Sequence, residues 1–253
     1  MTRRWLPLLI LFLAVLGAPL AAHAQTGGIP AINLSVDSAS SPEQLSTTIQ
    51  IVILITILSL APSILIMTTS FTRIVVIFHF LRQAIGTQNA PSNQILISLA
   101  LFLTYFVMSP VLQEVNSTAL RPYLDNEIEQ QEAIVLAAAP VKEFMVRHTR
   151  DKDLELFASY FPGERAKSPS ELSLMVVIPA FMINELRIAF QIGFMLYLPM
   201  LLIDMVVSAV LMSMGMMMLP PIMISMPFKI LLFVLVDGWY LVVESIINGL
   251  QLS

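Results

Sequence analysis

Hydrophobic and polar positions fall along this chain in long blocks. From Ile49 to Met67 no side chain carries a charge, and the run is about as long as the ~20 residues needed to cross a bilayer core. Ser41-Pro42-Glu43-Gln44 precedes it. Ser41 can cap a helix, Pro42 suits the first helical position, and Gln44 stands three residues after the cap. The pattern predicts a helix with a kink at Pro62. Apolar residues then continue at helical spacing from Thr72 to Ile85 and stop at Gly86, so the helix is expected to run on past the nominal span. Ala90-Pro91-Ser92 starts another helix, with its apolar body at Ile95–Leu112.

Glu114–Glu171 changes character. It holds eleven acidic and seven basic residues, 18 of the 30 charges in the chain. Within it, Val141, Phe144, Met145 and His148, then Leu154, Phe157, Ala158 and Phe161, recur at three-to-four spacing, which predicts amphipathic helices. Such a region is either a solvated connector that packs on itself or a docking face for neighbouring subunits. Ser168-Pro169-Ser170-Glu171 repeats the capping pattern of Ser41–Gln44 and opens the second apolar half. The two matching starts hint at two related hairpins.

Leu174–Leu219 and Ile222–Val236 are almost wholly apolar, and between them lies Met212-Ser-Met-Gly-Met-Met-Met-Leu-Pro-Pro221. Seven of the chain's 16 methionines fall between Met212 and Met226. Gly215 and Pro220-Pro221 predict a break between two helices there. Methionine is flexible and polarizable and fills gaps of irregular shape. Two readings follow from the cluster: a deformable seal in a pore, or loose packing inside a helical membrane core.

Three charges interrupt the first of these runs: Glu185, Arg187 and Asp204. A charge at a bilayer centre costs about 2.5–3.5 kcal/mol on insertion scales, so each needs a partner or water. Residues two apart on a helix point to nearly opposite sides. Glu185 and Arg187 therefore cannot satisfy each other, and each must look to another helix or another subunit. Beyond the break, Lys229 follows Pro227, and Asp237-Gly238-Trp239-Tyr240 leads into a short apolar tail, Leu241–Leu250. Trp and Tyr favour membrane interfaces.

Composition narrows the class. The 253 residues are 57% hydrophobic and only 12% charged, against roughly a quarter charged in soluble domains; the mean hydropathy is +0.83. A membrane-associated, all-α chain follows. Thirteen basic residues against 17 acidic ones leave no footprint for nucleic acid, and the absence of cysteine excludes disulfides. Residues 1–24 look like a secretory signal peptide: Arg3 and Arg4, the apolar run Trp5–Leu20, and Ala22-His23-Ala24 before Gln25, with cleavage between Ala24 and Gln25. A first transmembrane helix is the alternative. A translocated N-terminus puts the basic, acid-free stretch Thr68–Gln94 inside after one crossing, as the bias of cytoplasmic loops toward Lys and Arg requires. The expected organisation is thus a signal peptide at 1–24, a flexible segment at 25–44, a helical hairpin at 45–112, a polar periplasmic region at 113–171, and a second hairpin with the methionine loop at 172–253. No metal-ligand spacing and no Gly-x-Ser-x-Gly is present, so neither an enzyme nor a bound cofactor is expected.

The stretch Pro179-Ala-Phe-Met-Ile-Asn-Glu-Leu-Arg-Ile-Ala-Phe-Gln-Ile-Gly-Phe194 resembles the signature of the FliP family, the flagellar biosynthesis protein and its counterparts in virulence-type type III secretion. Thr69-Ser-Phe-Thr-Arg-Ile74, Pro227-Phe-Lys-Ile-Leu-Leu-Phe233 and the methionine run also look like family motifs. Asn184 stands where the family usually has Ser, Thr or His. The resemblance spans from about residue 45 to the C-terminus, and the leader fits the flagellar branch. It implies a core subunit of an oligomeric export gate at the flagellar basal body. Five copies would assemble with FliQ-like subunits and one FliR-like subunit into a helical cone on the periplasmic side of the bacterial inner membrane. Unfolded proteins would pass through its lumen. The resemblance makes Met212, Met214, Met216, Met217 and Met218 the candidates for a gasket closing that lumen, and Glu185 and Arg187 candidates for contacts between subunits. Two rivals remain from the residues alone: a proton-coupled transporter or channel with Glu185, Arg187 and Asp204 as a relay, and a purely structural scaffold.

Overall fold

The computed structural model describes residues 42–87, 89–161, 169–216 and 218–251. The leader with its Ala24–Gln25 junction, most of the segment at 25–44, Ser168 and Met217 lie outside the described residues. The chain divides into a unit at 1–52 and a larger one at 53–253; of the first, only the opening turns of the first described helix are described.

Every regular element among the described residues is helical. The order is α1 (Pro42–Thr68), α2 (Phe71–Ile85), α3 (Asn93–Val115), a π-helical turn (Asn116–Leu120), α4 (Arg121–Leu124), α5 (Gln130–Arg147), α6 (Asp151–Tyr160), a 3-10 turn (Pro169–Glu171), α7 (Leu174–Ser213), α8 (Pro221–Leu235) and α9 (Gly238–Gln251). Three stretches are long and apolar enough to cross a membrane: Ile51–Thr68, Asn93–Leu124 and Leu174–Ser213. α8 and α9 together pass the same test across a 63° bend. At 1.5 Å per residue, the 40 residues of α7 extend about 60 Å, about twice the ~30 Å thickness of a bilayer core.

The apolar run of the first half does not continue as one helix. Thr68 and Thr69 turn their hydroxyls onto the carbonyls of Ile64 and Leu65, at 2.9 and 2.7 Å, and Thr72 does so onto Ile66 at 3.1 Å. Side-chain donors that seize backbone carbonyls compete with the helical ladder. Here the chain breaks between Thr68 and Phe71 and starts again as α2. That helix ends where expected, at Gly86, whose φ of +86° is the left-handed helix cap that favours glycine.

The second capping motif is also displaced. Pro169–Glu171 forms only a 3-10 turn. The side chain of Ser173 accepts the N–H of Met175 at 3.3 Å and caps α7 instead. The two similar Ser-Pro sequences thus start different structures: the first proline opens an α-helix, the second a single tight turn ahead of one.

The core is built on α2 against α7. Ile74, Ile77, Phe78 and Ala84 meet Val177, Ala180, Phe181 and Ala189, all 0% exposed. The two helices come close enough at Gly193 that a Cβ there would lie 2.6 Å from ring carbons of Phe80. Only glycine leaves room for that ring, which also packs edge-on against Phe190 at 5.2 Å. Trp239 joins the same core by its edges, 5.5 Å from Phe233 and 6.4 Å from Phe78. The polar region folds as the spacing predicts: α5 buries Phe144 and Met145, and α6 buries Leu154.

Large apolar side chains cover much of the remaining surface. Leu58 is 72% exposed, Met223 69% and Leu235 73%. Exposed apolar surface on this scale marks contact with lipid or with other subunits.

Candidate functional site: the methionine loop and its buried charge pairs

The loop between α7 and α8 follows from three residues. Gly215 takes φ +76°. Its N–H donates to Met212 O at 3.0 Å, and the N–H of Met216 donates to Leu211 O at 3.0 Å. This is the paired closure of a Schellman motif, with glycine at the left-handed position. A Cβ at Gly215 would meet nothing within 4 Å, so the requirement there is conformational rather than spatial. Pro220 then caps α8, and Pro221 opens it.

The described methionines of this loop are not core residues. Met212 is 64% exposed, Met214 66%, Met216 39% and Met218 98%. The loop therefore presents a run of thioether side chains outward from the end of a helical hairpin.

Below the loop the hairpin is pinned by charge. Lys229 Nζ of α8 donates to Asp204 Oδ2 of α7 at 2.6 Å, and Ser225 Oγ donates to the other carboxylate oxygen at 2.5 Å. Lys229 is 3% exposed. Asp204 precedes Ser213 by nine residues and Lys229 follows Pro221 by eight, so the clasp grips both arms about 12–14 Å below the loop. It fixes the register of the two helices that carry the methionines.

Glu185 has its partner within the same chain. Arg73 Nε of α2 donates to Glu185 Oε2 at 2.9 Å, and Arg73 Nη2 donates to Oε1. The side chains are 2% and 0% exposed. Of the two kinds of partner that the spacing allowed, another helix or another subunit, Glu185 has the helix. The third guanidinium nitrogen, Nη1, reaches the carbonyl of Gly249 near the end of α9 at 3.3 Å. One arginine thus ties α2, α7 and α9 together.

Arg187 differs. Its Nη2 donates to Asn184 Oδ1 at 2.8 Å, while its Nε is buried without a partner. The amide of Asn184 donates onward to the carbonyl of His148. Asn184 is therefore a bridge from α7 to the end of α5, a role open to an amide, which both donates and accepts. Glu185 and Asp204 are 19 positions apart on α7, about 28 Å along the helix. No group of three His, Cys, Asp or Glu residues suited to a metal ion occurs among the described residues.

Reading the sequence missed Arg73, Lys229 and Ser225 as partners. A signal existed: two carboxylates, Glu185 and Asp204, and three cations, Arg73, Arg187 and Lys229, stood in apolar runs, and charges in such surroundings have to pair. What the sequence withheld was which cation meets which carboxylate.

The chain matches the FliP family model over residues 54–246. It is 55% identical over 216 residues to the flagellar biosynthetic protein FliP of Bacillus subtilis (strain 168), covering 85% of this chain and 98% of the relative. It is 51% identical over 225 residues to the protein of the same name from Aquifex aeolicus (strain VF5), covering 88% and 92%. A third, from Caulobacter vibrioides, is 49% identical over 233 residues, covering 92% and 85%.

Proposed function

The chain belongs to the FliP family of flagellar biosynthetic proteins, and on that premise we propose that it is a core subunit of the flagellar type III export gate. In this reading several copies, five by the resemblance, surround a lumen together with FliQ-like and FliR-like subunits. Unfolded flagellar proteins cross the inner membrane through that lumen. Met212, Met214, Met216, Met217 and Met218 close it at rest.

The observation that carries this reading is the exposure of the methionine loop at the tip of a hairpin whose register is fixed by Asp204–Lys229. A passage for unfolded chains has to widen for a polypeptide and still hold back ions. A ring of flexible apolar side chains does both: it dewets when empty and moulds to whatever passes. A rigid support under a soft tip is the mechanical arrangement this needs. The length of α7, about twice a bilayer core, supports a body that rises out of the membrane plane, where its charges need not meet lipid.

Arg187, which is only partly buried, is the stronger candidate for a contact with a neighbouring subunit, since Glu185 is fully buried and already satisfied inside the chain. The relay reading gains nothing from the geometry. Glu185 and Asp204 each hold an in-chain cation, and they are too far apart to exchange a proton directly.

The test is replacement of all five methionines by alanine in the assembled gate. The expected result is intact assembly with a raised ion leak across the membrane. Unchanged conductance in an assembled gate overturns the gasket role, and loss of stability alone favours a scaffold.

A further inference from the structure

His148 lies at the carboxyl end of α5 and is 7% exposed. Its two ring nitrogens face two backbone carbonyls: Nδ1 is 2.8 Å from Phe144 O, and Nε2 is 2.8 Å from Leu250 O. A carbonyl oxygen only accepts. A neutral imidazole carries one N–H, so one of these two contacts would set a nitrogen lone pair against an oxygen lone pair. Only the imidazolium, with an N–H on each nitrogen, satisfies both.

Two further features favour the cation. Phe144 O and Leu250 O belong to the last turns of α5 and α9, so the ring sits at the negative ends of two helix dipoles. The Phe144 ring lies 4.3 Å from the His148 ring, at an interplanar angle of 37°, within cation–π range.

Arg73 of α2 is paired with Glu185. Arg150 of α6's leading edge is paired with Asp153, and Arg187 of α7 is held by Asn184. Glu114, Glu143 and Arg147 line a cavity of about 470 Å³ beside His148. Of these three, Arg147 is bonded to Glu143.

We propose that His148 is a resident imidazolium that latches the carboxyl end of α9 to α5, and that loss of its proton opens the latch. The neutral ring keeps one carbonyl and gives up the other. The carbonyl of Phe144 also accepts the backbone N–H of His148 at 3.2 Å, so it stays satisfied without the ring. The Leu250 carbonyl is therefore the partner that the neutral state gives up, which loosens the end of α9 around its remaining tie from Arg73 to Gly249 O at 3.3 Å. Because both bonds exist only with the proton bound, the latch is closed in the protonated state and open in the neutral one.

Two measurements on the full chain in detergent micelles test this. Nitrogen-15 NMR of the histidine side chains, with His148 assigned through His148→Gln and the exposed His79 through His79→Gln, should show both His148 nitrogens protonated in the folded chain. A neutral His148 ring with one bare nitrogen overturns the proposal. Hydrogen exchange of the amides in 246–251, corrected for intrinsic rates, should lose about tenfold or more protection between the pH at which that signal shows the protonated ring and the pH at which it shows the neutral one. His79→Gln should keep that pH dependence, and His148→Gln should abolish it. Equal pH dependence in His148→Gln and the unsubstituted chain overturns the latch.

Discussion

Glu185→Gln changes one atom and leaves the shape of the buried site intact. It also leaves the Arg73 guanidinium, 1% exposed, with no countercharge. Breaking a buried pair from one side costs about 3–5 kcal/mol, because the remaining charge stays desolvated. Reorientation of Arg73 would also cost the 3.3 Å bond to Gly249 O, worth about 1 kcal/mol. For a chain of this size each kcal/mol moves Tm by about 2–4 °C, so the single variant should melt about 6–20 °C lower. The double variant Arg73→Met/Glu185→Leu removes both charges and keeps most of the volume. Such replacements are often neutral or stabilising, so it should recover most of the loss. The assay is thermal unfolding of the full chain in detergent, followed by far-ultraviolet circular dichroism. A single variant within about 2 °C of the unsubstituted chain, which is under 1 kcal/mol, would refute the reasoning. So would a double variant that is as unstable as the single one, since the penalty would then not come from an uncompensated charge.

Other positions give independent checks. Gly193→Ala puts a Cβ 2.6 Å from the Phe80 ring, and overpacking of this kind costs about 1–3 kcal/mol; Gly193→Ala combined with Phe80→Leu should recover part of it in the same melting assay. Lys229→Met should destabilise the α7–α8 hairpin by stranding Asp204, and Asp204→Asn with Lys229→Met should restore it. Hydrogen exchange across 204–229 reads both variants, and equal protection in the single and double variants would remove the clasp from the account.

The sequence carried the elements more fully than their contacts. Gly86, Gly215 and Pro220-Pro221 marked real ends, because φ near +80° and the missing proline N–H act locally. Thr68 and Thr69 misled, since a hydroxyl that takes a carbonyl from its own helix leaves no mark in hydrophobic periodicity. Ser173 rather than Ser168-Pro169 started α7, because two sites with capping chemistry stood five residues apart and the local pattern does not rank them. At the candidate site the methionine cluster was legible as composition, but its exposure was not. The partners of Glu185 and Asp204 are 112 and 25 residues distant, and nothing in a local pattern encodes a pairing over such separations. His148 read as one apolar-face position among several, and only the fold sets the Leu250 carbonyl against its second ring nitrogen.

The central claim is that the methionines cap a lumen formed by several copies of the chain. Electron microscopy of the detergent-extracted assembly tests it most directly. The account predicts density for Met212, Met214, Met216, Met217 and Met218 converging on the central axis of a ring of subunits. Sulfurs turned toward detergent on the outer surface, or buried between helices away from any axis, would contradict it.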